Sequence, residues 1–464
     1  MDVKIVKSNY GNTVLLVDNY KFKKEKDLKS GESYWRCIKT RTKCTAKIFT
    51  VGSDYIISRT ENDHNHPPEV QKVNRQIVST ACKRKAIEDI AEKPSKIIRC
   101  ELEKSLPDTF TMQDIEYVRR NIYNCRRKEL PSSLPKSIEE VFQVLENYNP
   151  TTCKNENFLF INCENTKLVV FTCETNIREL CRAPQIYMDG TFSYCTKFFY
   201  QLFSIHGLKN GHYVPYMFCL LENKQSKTYE NLFHKIKSKI QSIYSLQFEP
   251  KEVFVDFEKA IHVAIKNIWP NTQIYGCRFH LHQAWYRKIK SLGLSDHYKN
   301  EESQIGKWLK YTFGLTYLDP SDVGDCFAFD LYSIKPVNDQ LDKYCDYLVN
   351  TYIDQESDFP PSLWAECSSS LIRTTNACES FHARFNSSFY SPHPSIFIFI
   401  EKLKQFQTET YVKIQSLHIP RKIKDTTVKK KMNTVTSLCD KLLRAEISNF
   451  DFVKCVSHLN IPKE

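Results

Sequence analysis

Residues 185–192 read QIYMDGTF, and residues 252–260 read EVFVDFEKA. Each is a short apolar run that ends on an acidic residue, Asp189 in the first and Asp256 in the second. Runs of this length, rich in β-branched and aromatic side chains, predict strands. A third acidic residue, Glu379, lies in TTNACESFHARFN (374–386), which reads as a helix. Carboxylates at the ends of neighbouring strands, joined by one from a helix, can hold two divalent cations against a phosphodiester. Each residue also has an ordinary reading on its own. Asp189-Gly190 can be a turn, Asp256 can cap the helix that starts near Glu258, and Glu379 can be a solvated helix residue. Their order within one domain is what groups them.

Working outward, 157–290 alternates the two patterns. NFLFINC, LVVFTC, QIYMDGTF, FFYQLFSIHG and YVPYMFCLL read as strands, followed by an amphipathic helix in KTYENLFHKIKSKIQSIY. EVFVDF, KAIHVAIKNIW, TQIYGC and FHLHQAWYRKIKSL then read as strand, helix, strand, helix. Adjacent strands followed by β-α-β-α predict an α/β domain, a mixed sheet with helices on its faces. Residues 291–370 are polar and helical in pattern, with Trp308, Tyr344, Tyr347 and Trp364 as expected packing anchors.

On the N-terminal side, NTVLLVDNYKF, SYWRCIKT, TAKIFTV and DYIISRT predict a β-rich module over 1–68, stopped by His66-Pro67-Pro68. Residues 69–108 are polar and charged and are expected to form a linker with some helix. The Lys83-Arg84-Lys85 run in it reads either as a solvated helix face or as a nuclear import signal. In 109–156, apolar residues recur at helical spacing (Ile115, Val118, Ile122, Tyr123). Arg119, Arg120, Arg126, Arg127 and Lys128 are expected on the opposite face. Ser137 and Glu140 match a capping box for a second helix. Residues 371–405 carry the last acidic helix, with Glu366 and Glu401 as competing third carboxylates. Residues 406–464 form a tail whose basic run, Arg421 to Lys431, is expected to be exposed.

The chain has 464 residues, long enough for two or three domains. Its 66 Lys+Arg exceed its 54 Asp+Glu for a formal charge of +12, which favours an anionic partner. The first residues, MDVKIVKSNYG, lack the apolar core of a secretory signal, so most of the 18 cysteines are expected to stay reduced, as ligands or buried small hydrophobes. The longest apolar run, IFIFI at 396–400, is far too short to span a bilayer, which takes about 20 residues. No membrane partner is expected.

Cys37 and Cys44 have six residues between them, and His64 and His66 follow with one residue between them. Two thiolates and two imidazoles can close a tetrahedral zinc site, although the cysteine spacing differs from that of common fingers. The alternative is two buried cysteines beside two exposed histidines. Asn19-Tyr20-Lys21-Phe22, Tyr34-Trp35-Arg36-Cys37, Lys43-Cys44-Thr45-Ala46 and His64-Asn65-His66-Pro67-Pro68 resemble the FLYWCH zinc finger over residues 3–68. The resemblance implies structural zinc on Cys37, Cys44, His64 and His66, and a role in nucleic-acid or protein contact.

The central region resembles the Mutator-like (MULE) transposase family over about 110–400. The matching motifs are Asp189-Gly190-Thr191-Phe192, the strand-borne Asp256, Cys277-x2-His280 after the next strand, and Asn376-x-x-Glu379-Ser380. The resemblance implies a ribonuclease-H-like core (157–290) interrupted by a helical insertion (291–370). It implies Asp189, Asp256 and Glu379 as catalytic residues holding Mg²⁺ or Mn²⁺, with phosphodiester cleavage and strand transfer on double-stranded DNA in the nucleus. Transposases commonly act as oligomers, so a homo-oligomer is expected. Cys277 and His280 are assigned to packing or DNA positioning by analogy with related families; a zinc site shared with His282 is the competing reading. The basic residues from Arg119 to Lys128 are expected to contact phosphate. The alternative function is a domesticated, transposase-derived DNA-binding or chromatin protein without catalysis.

Overall fold

The computed structural model describes residues 3–7, 12–40, 43–131, 134–192, 194–367, 376–421 and 426–459, without the side chains of 376, 377, 427 and 428. The chain divides into two compact units. One comprises 1–134 with 388–390 and 397–401, and the other comprises the remaining residues.

In the first unit, β1 (Val3–Lys7), β2 (Thr13–Val17), β3 (Tyr20–Asp27), β4 (Glu32–Cys37), β5 (Lys47–Val51) and β6 (Ile56–Glu61) pair in sequence order as an antiparallel meander. The β2–β3 turn is the two-residue Asp18-Asn19, both at positive φ, the geometry that matches strand twist in a tight hairpin. Leu15, Val17, Phe22, Trp35, Cys37, Cys44, Ala46 and Ile48 form the module's core. The Trp35 indole N–H donates to Thr50 Oγ1 at 2.9 Å, which satisfies its buried polar edge.

The stretch expected as a linker with some helix, 69–108, contains α1 (Val70–Glu88) and α2 (Pro94–Leu102). Together with α3 (Met112–Glu129) they share a core of Val78, Cys82, Ala86, Ile97, Ile98, Val118 and Ile122. The buried stripe of α1, Val73, Val78, Ser79, Cys82 and Ala86, is short of large apolar side chains and lies between long charged ones, so its periodicity is faint in the sequence. Lys85 of the Lys83-Arg84-Lys85 run pairs with Glu101 at 2.7 Å.

The second unit opens with α4 (Ile138–Asn147), whose first turn is capped by Ser137. Then come β7 (Leu159–Cys163), β8 (Leu168–Phe171), α5 (Glu174–Arg182), β9 (Gln185–Thr191), β10 (Gln201–Lys209), β11 (His212–Leu221), α6 (Ser226–Tyr244), β12 (Glu252–Val255), α7 (Lys259–Ile268), β13 (Gln273–Gly276) and α8 (Arg278–Ser291). The strands form one mixed sheet in the order β13-β12-β9-β10-β11-β8-β7. The β13–β12 and β12–β9 pairs are parallel and the others antiparallel.

Alternation along the strands assigns the two faces. Ile186, Met188, Phe203, Ile205, Val253 and Val255 enter the large core that includes Leu232, Phe233, Ile236, Ala264 and Ile265 of α6 and α7. Tyr187, Leu208 and Phe254 join the opposite core, which includes Cys378 of a later helix. Asp189 and Asp256 have the parity of Tyr187 and Phe254, so they belong to that second face.

Residues after α8 form a helical region: α9 (Ser295–Lys299), α10 (Gln304–Gly314), α11 (Val323–Asp325), which continues into a π-helical turn, and α12 (Asp339–Leu348). Helix α13 (Asn376–Ser387) carries Glu379, and α14 (Ile396–Gln415), α15 (Thr426–Leu443) and α16 (Asn449–Val456) complete the chain. Trp308, Tyr344 and Trp364 are fully buried anchors of the helical region, and Tyr347 is partly buried against them. Val435 and Cys439 of α15 and Phe452, Val453 and Val456 of α16 lie in the same core. The tail therefore completes the helical region. No helix among the described residues is long and apolar enough to cross a membrane.

Candidate functional site

Two sites emerge, one in each unit. In the first unit, β4 ends on Cys37, and the segment between β4 and β5 returns with Cys44. The chain after β6 brings His64 and His66. Cys37 Sγ lies 3.3 Å from His66 Nε2 and Cys44 Sγ lies 3.5 Å from His64 Nδ1. All four ligand atoms lie within 4.8 Å of one another. The His66 Nδ1–H donates to Pro67 O at 3.0 Å, which leaves the Nε2 lone pair facing the cysteines. His64 stacks on Tyr20 with ring centroids 3.6 Å apart, and Phe22 meets its edge. Two aromatic positions of the module therefore hold a ligand ring in place. Burial pushes the Cys37 thiol up to about 11, and a bound cation would draw it into the thiolate form. Soft thiolate and imidazole donors in a closed set of four fit zinc.

In the second unit, β9 does not turn at Asp189-Gly190. It stays paired with β10 through Thr191↔Leu202, so Asp189 is a strand residue. Asp256 follows β12 directly and does not cap α7, whose N-cap residue is Glu258 with no side-chain capping bond. The Asp256 carboxylate instead accepts the Phe257 N–H at 2.6 Å, and its carbonyl accepts from His262 Nε2 at 2.8 Å. Strands β9 and β12 are parallel neighbours, so both aspartates emerge at the same sheet end. Helix α13 packs on that face through Cys378, Phe381 against Phe218, and Phe381 against His206.

Two histidines link the three acidic residues. His280, in the first turn of α8, places Nε2 at 2.9 Å from Glu379 Oε1 and Nδ1 at 3.6 Å from Asp256 Oδ1. Burial alone would lower its pKa. A hydrogen bond with Cys277 and the Glu379 and Asp256 carboxylates outweigh burial and hold it up at about 11. Its ring stands between two carboxylates. His382, three residues after Glu379 and thus one turn along α13, places Nδ1 at 3.1 Å from Asp189 Oδ2. Its Nε2 lies 2.8 Å from Ser204 Oγ, and Ser204 Oγ lies 2.8 Å from His206 Nε2. Ser204 is the cross-strand partner of Asp189.

Asp189 is 10% exposed at its side chain, Asp256 51% and Glu379 31%, so the trio grades from buried to open. The three carboxylates do not form a set with all ligand atoms within 4.8 Å; among the described residues only the Cys/His group does. Their hard oxygen donors suit a hard divalent cation.

Of the competing carboxylates, Glu366 donates its backbone N–H to Thr316 O in the helical region, and Glu401 lies on α14. Glu379 reaches His280 Nε2 at 2.9 Å. The side chain of Asn376 lies outside the described residues.

Cys277, expected to serve packing or DNA positioning, is fully buried and hydrogen-bonds with His280. His282 is buried and reaches Thr316 Oγ1 at 3.2 Å, away from any shared zinc role with Cys277 and His280. Arg119, Arg120, Arg127 and Lys128 are exposed on α3. Arg126 departs from this cluster. It is buried, donating to Ala86 O, Asp89 O and Glu92 O at 3.3, 2.9 and 2.6 Å, and is unavailable to phosphate. Within the basic run of the tail, Arg421, Lys429 and Lys430 are exposed, Lys431 donates to Leu459 O, and residues 422–425 lie outside the described residues.

Sequence reading passed over His382 and Ser204, and took His206 only as a structural or exposed residue beside a hairpin. The signals were a histidine one helical turn after Glu379, and two polar residues at alternate positions of an otherwise apolar strand.

Comparison with known families agrees with this geometry. Residues 185–284 match the MULE transposase domain. Residues 5–66 match the FLYWCH zinc finger domain, and the match contains all four Cys/His ligands. Among solved structures, a chain of the "Drosophila P element transposase strand transfer complex" aligns at 11% identity over 79% of this chain and 98% of its own, with a TM-score of 0.22. A likeness of that size carries no argument about the fold. No curated protein matches the chain.

Proposed function

We propose that this chain is a DNA transposase of the MULE type with a FLYWCH zinc finger, whose catalytic residues are Asp189, Asp256 and Glu379. The observation that carries the reading is the convergence of Asp189 and Asp256 at one end of the parallel pair β9 and β12, with Glu379 on the helix packed over the same face. Three antiparallel strands, β9 to β11, followed by two parallel ones, each preceded by a helix, support a ribonuclease-H-like core with a helical insertion before α13.

Asp189, Asp256 and Glu379 would hold Mg²⁺ or Mn²⁺, which when bound supplies Lewis-acid stabilisation of the charge that develops around phosphorus. The chain's own residues do the rest. The near-buried Asp189 is held by His382 as the fixed point of the site. The more open Asp256 and Glu379 face the side from which a DNA backbone can approach. The exposed Arg119, Arg120, Arg127 and Lys128 add affinity through phosphate contact without reading sequence. The zinc module contributes further DNA contact. A nuclear location and action as a homo-oligomer on paired ends complete the reading.

The test is Mg²⁺- or Mn²⁺-dependent cleavage and strand transfer on duplexes carrying the ends of the encoding element. Wild type is expected to produce both products. Asp189→Asn, Asp256→Asn and Glu379→Gln are each expected to lose them while still binding DNA. Binding without cleavage in wild type would replace this reading with that of a domesticated DNA-binding protein.

A further inference from the structure

Beneath the carboxylates runs a buried chain of polar groups that the proposed reaction does not itself require. It passes from Asp189 Oδ2 to His382 Nδ1 (3.1 Å), from His382 Nε2 to Ser204 Oγ (2.8 Å), and from Ser204 Oγ to His206 Nε2 (2.8 Å). Ser204, His206 and His382 are all buried, at 0, 1 and 5% exposure. These are polar groups on a sheet face otherwise filled by Tyr187, Leu208, Phe254 and Cys378. Polar groups buried among apolar neighbours are costly unless their hydrogen bonds are complete, and here each bond completes the next.

From this geometry we infer that His382 is a positioning residue for Asp189: it presents an Nδ1–H to the carboxylate, and the Ser204–His206 pair fixes its ring. The inference rests on the reading of Asp189 as a metal ligand. The chain can be arranged in three ways. In one, His206 Nε2–H donates to Ser204, whose hydroxyl donates to the bare Nε2 of His382. In the second, His382 Nε2–H donates to Ser204, whose hydroxyl donates to His206. In the third, both Nε2–H groups donate to Ser204, whose hydroxyl donates to the Asp189 carbonyl at 3.4 Å. In each, an ionised Asp189 requires the proton on His382 Nδ1, because a bare nitrogen would set two lone pairs against each other. Burial holds His206 neutral, so it serves the chain as an oriented dipole. A ligand carboxylate held by a second group in this way keeps its orientation when a cation arrives. Loss of such support typically costs about 10–100-fold in metal affinity or activity.

The experiment has two arms on the full chain. The first is a two-bond ¹H–¹⁵N correlation spectrum of ¹⁵N-histidine-labelled protein without added divalent metal, with the His382 signals assigned by their loss in His382→Asn. Protonated Nδ1 in wild type is expected, and a neutral ring protonated only at Nε2 would overturn the proposal. The second arm is Mn²⁺ affinity. His382→Leu is expected to weaken it about 10–100-fold. His382→Asn, whose amide N–H₂ can stand where Nδ1–H stood, should stay within a few-fold of wild type. Equal loss in both variants would assign His382 a merely structural role and overturn the proposal. Should wild type bind no Mn²⁺, the function proposed above fails, and the first arm still decides the ring's orientation.

Discussion

At Gly276, the last residue of β13, an added Cβ would lie 2.2 Å from Cζ of the Phe257 ring. That ring is packed against Tyr352 and Phe359, so it cannot easily move aside. Phe257 also donates its backbone N–H to Asp256. Gly276→Ala is therefore expected to lower stability by about 1–3 kcal/mol and to weaken any activity that depends on Asp256. Urea unfolding and a cleavage assay check the two effects; unchanged stability would mean that the Phe257 cage is loose. Arg126 gives a second contrast. Arg126→Ala removes three donors from carbonyls at the end of α1 and the loop after it, and is expected to cost about 1–3 kcal/mol with little change in DNA affinity per folded molecule. Its burial was legible after the fact: Val118, Ile122 and Arg126 recur every four residues and share one stripe of α3. Reading charge before period put it on the wrong face.

Among the elements, the strands around Asp189 and Asp256 were readable because short apolar runs rich in β-branched and aromatic side chains are too brief for buried helices. Helices α1 and α2 were readable only as some helix within a linker, because few apolar residues, Val78, Cys82, Ala86, Ile97 and Ile98, stand among many long charged ones. The zinc module was legible through its Cys/His positions, while the stacking of His64 on Tyr20 depends on strand register that spacing alone does not express. One zinc ion per chain is expected by metal analysis. Its removal by a strong chelator, or Cys37→Ser, should abolish protection from hydrogen exchange in β4, β5 and β6, since a module of this size leans on its metal. Retained protection would make the cluster dispensable. On α3, reversing the charge of Arg119, Arg120, Arg127 and Lys128 together should weaken DNA binding at low salt and flatten its salt dependence. Binding that keeps its salt slope would move the phosphate contacts elsewhere.

At the scale of the whole molecule, the sequence carried the order of the three acidic residues but not how they are held. Asp189 meets His382, and His280 stands between Asp256 and Glu379, through contacts between residues far apart in the chain. No local pattern encodes such contacts; they follow from sheet order and from the packing of α13 on one face. The account depends on these three carboxylates forming one metal centre. Mn²⁺ binding to the full chain without DNA, followed by electron paramagnetic resonance titration, tests that most directly. Wild type is expected to bind Mn²⁺, and Asp189→Asn, Asp256→Asn and Glu379→Gln should each weaken that binding at least about tenfold. Affinity unchanged in any one of the three variants would remove that residue from the centre and contradict the account.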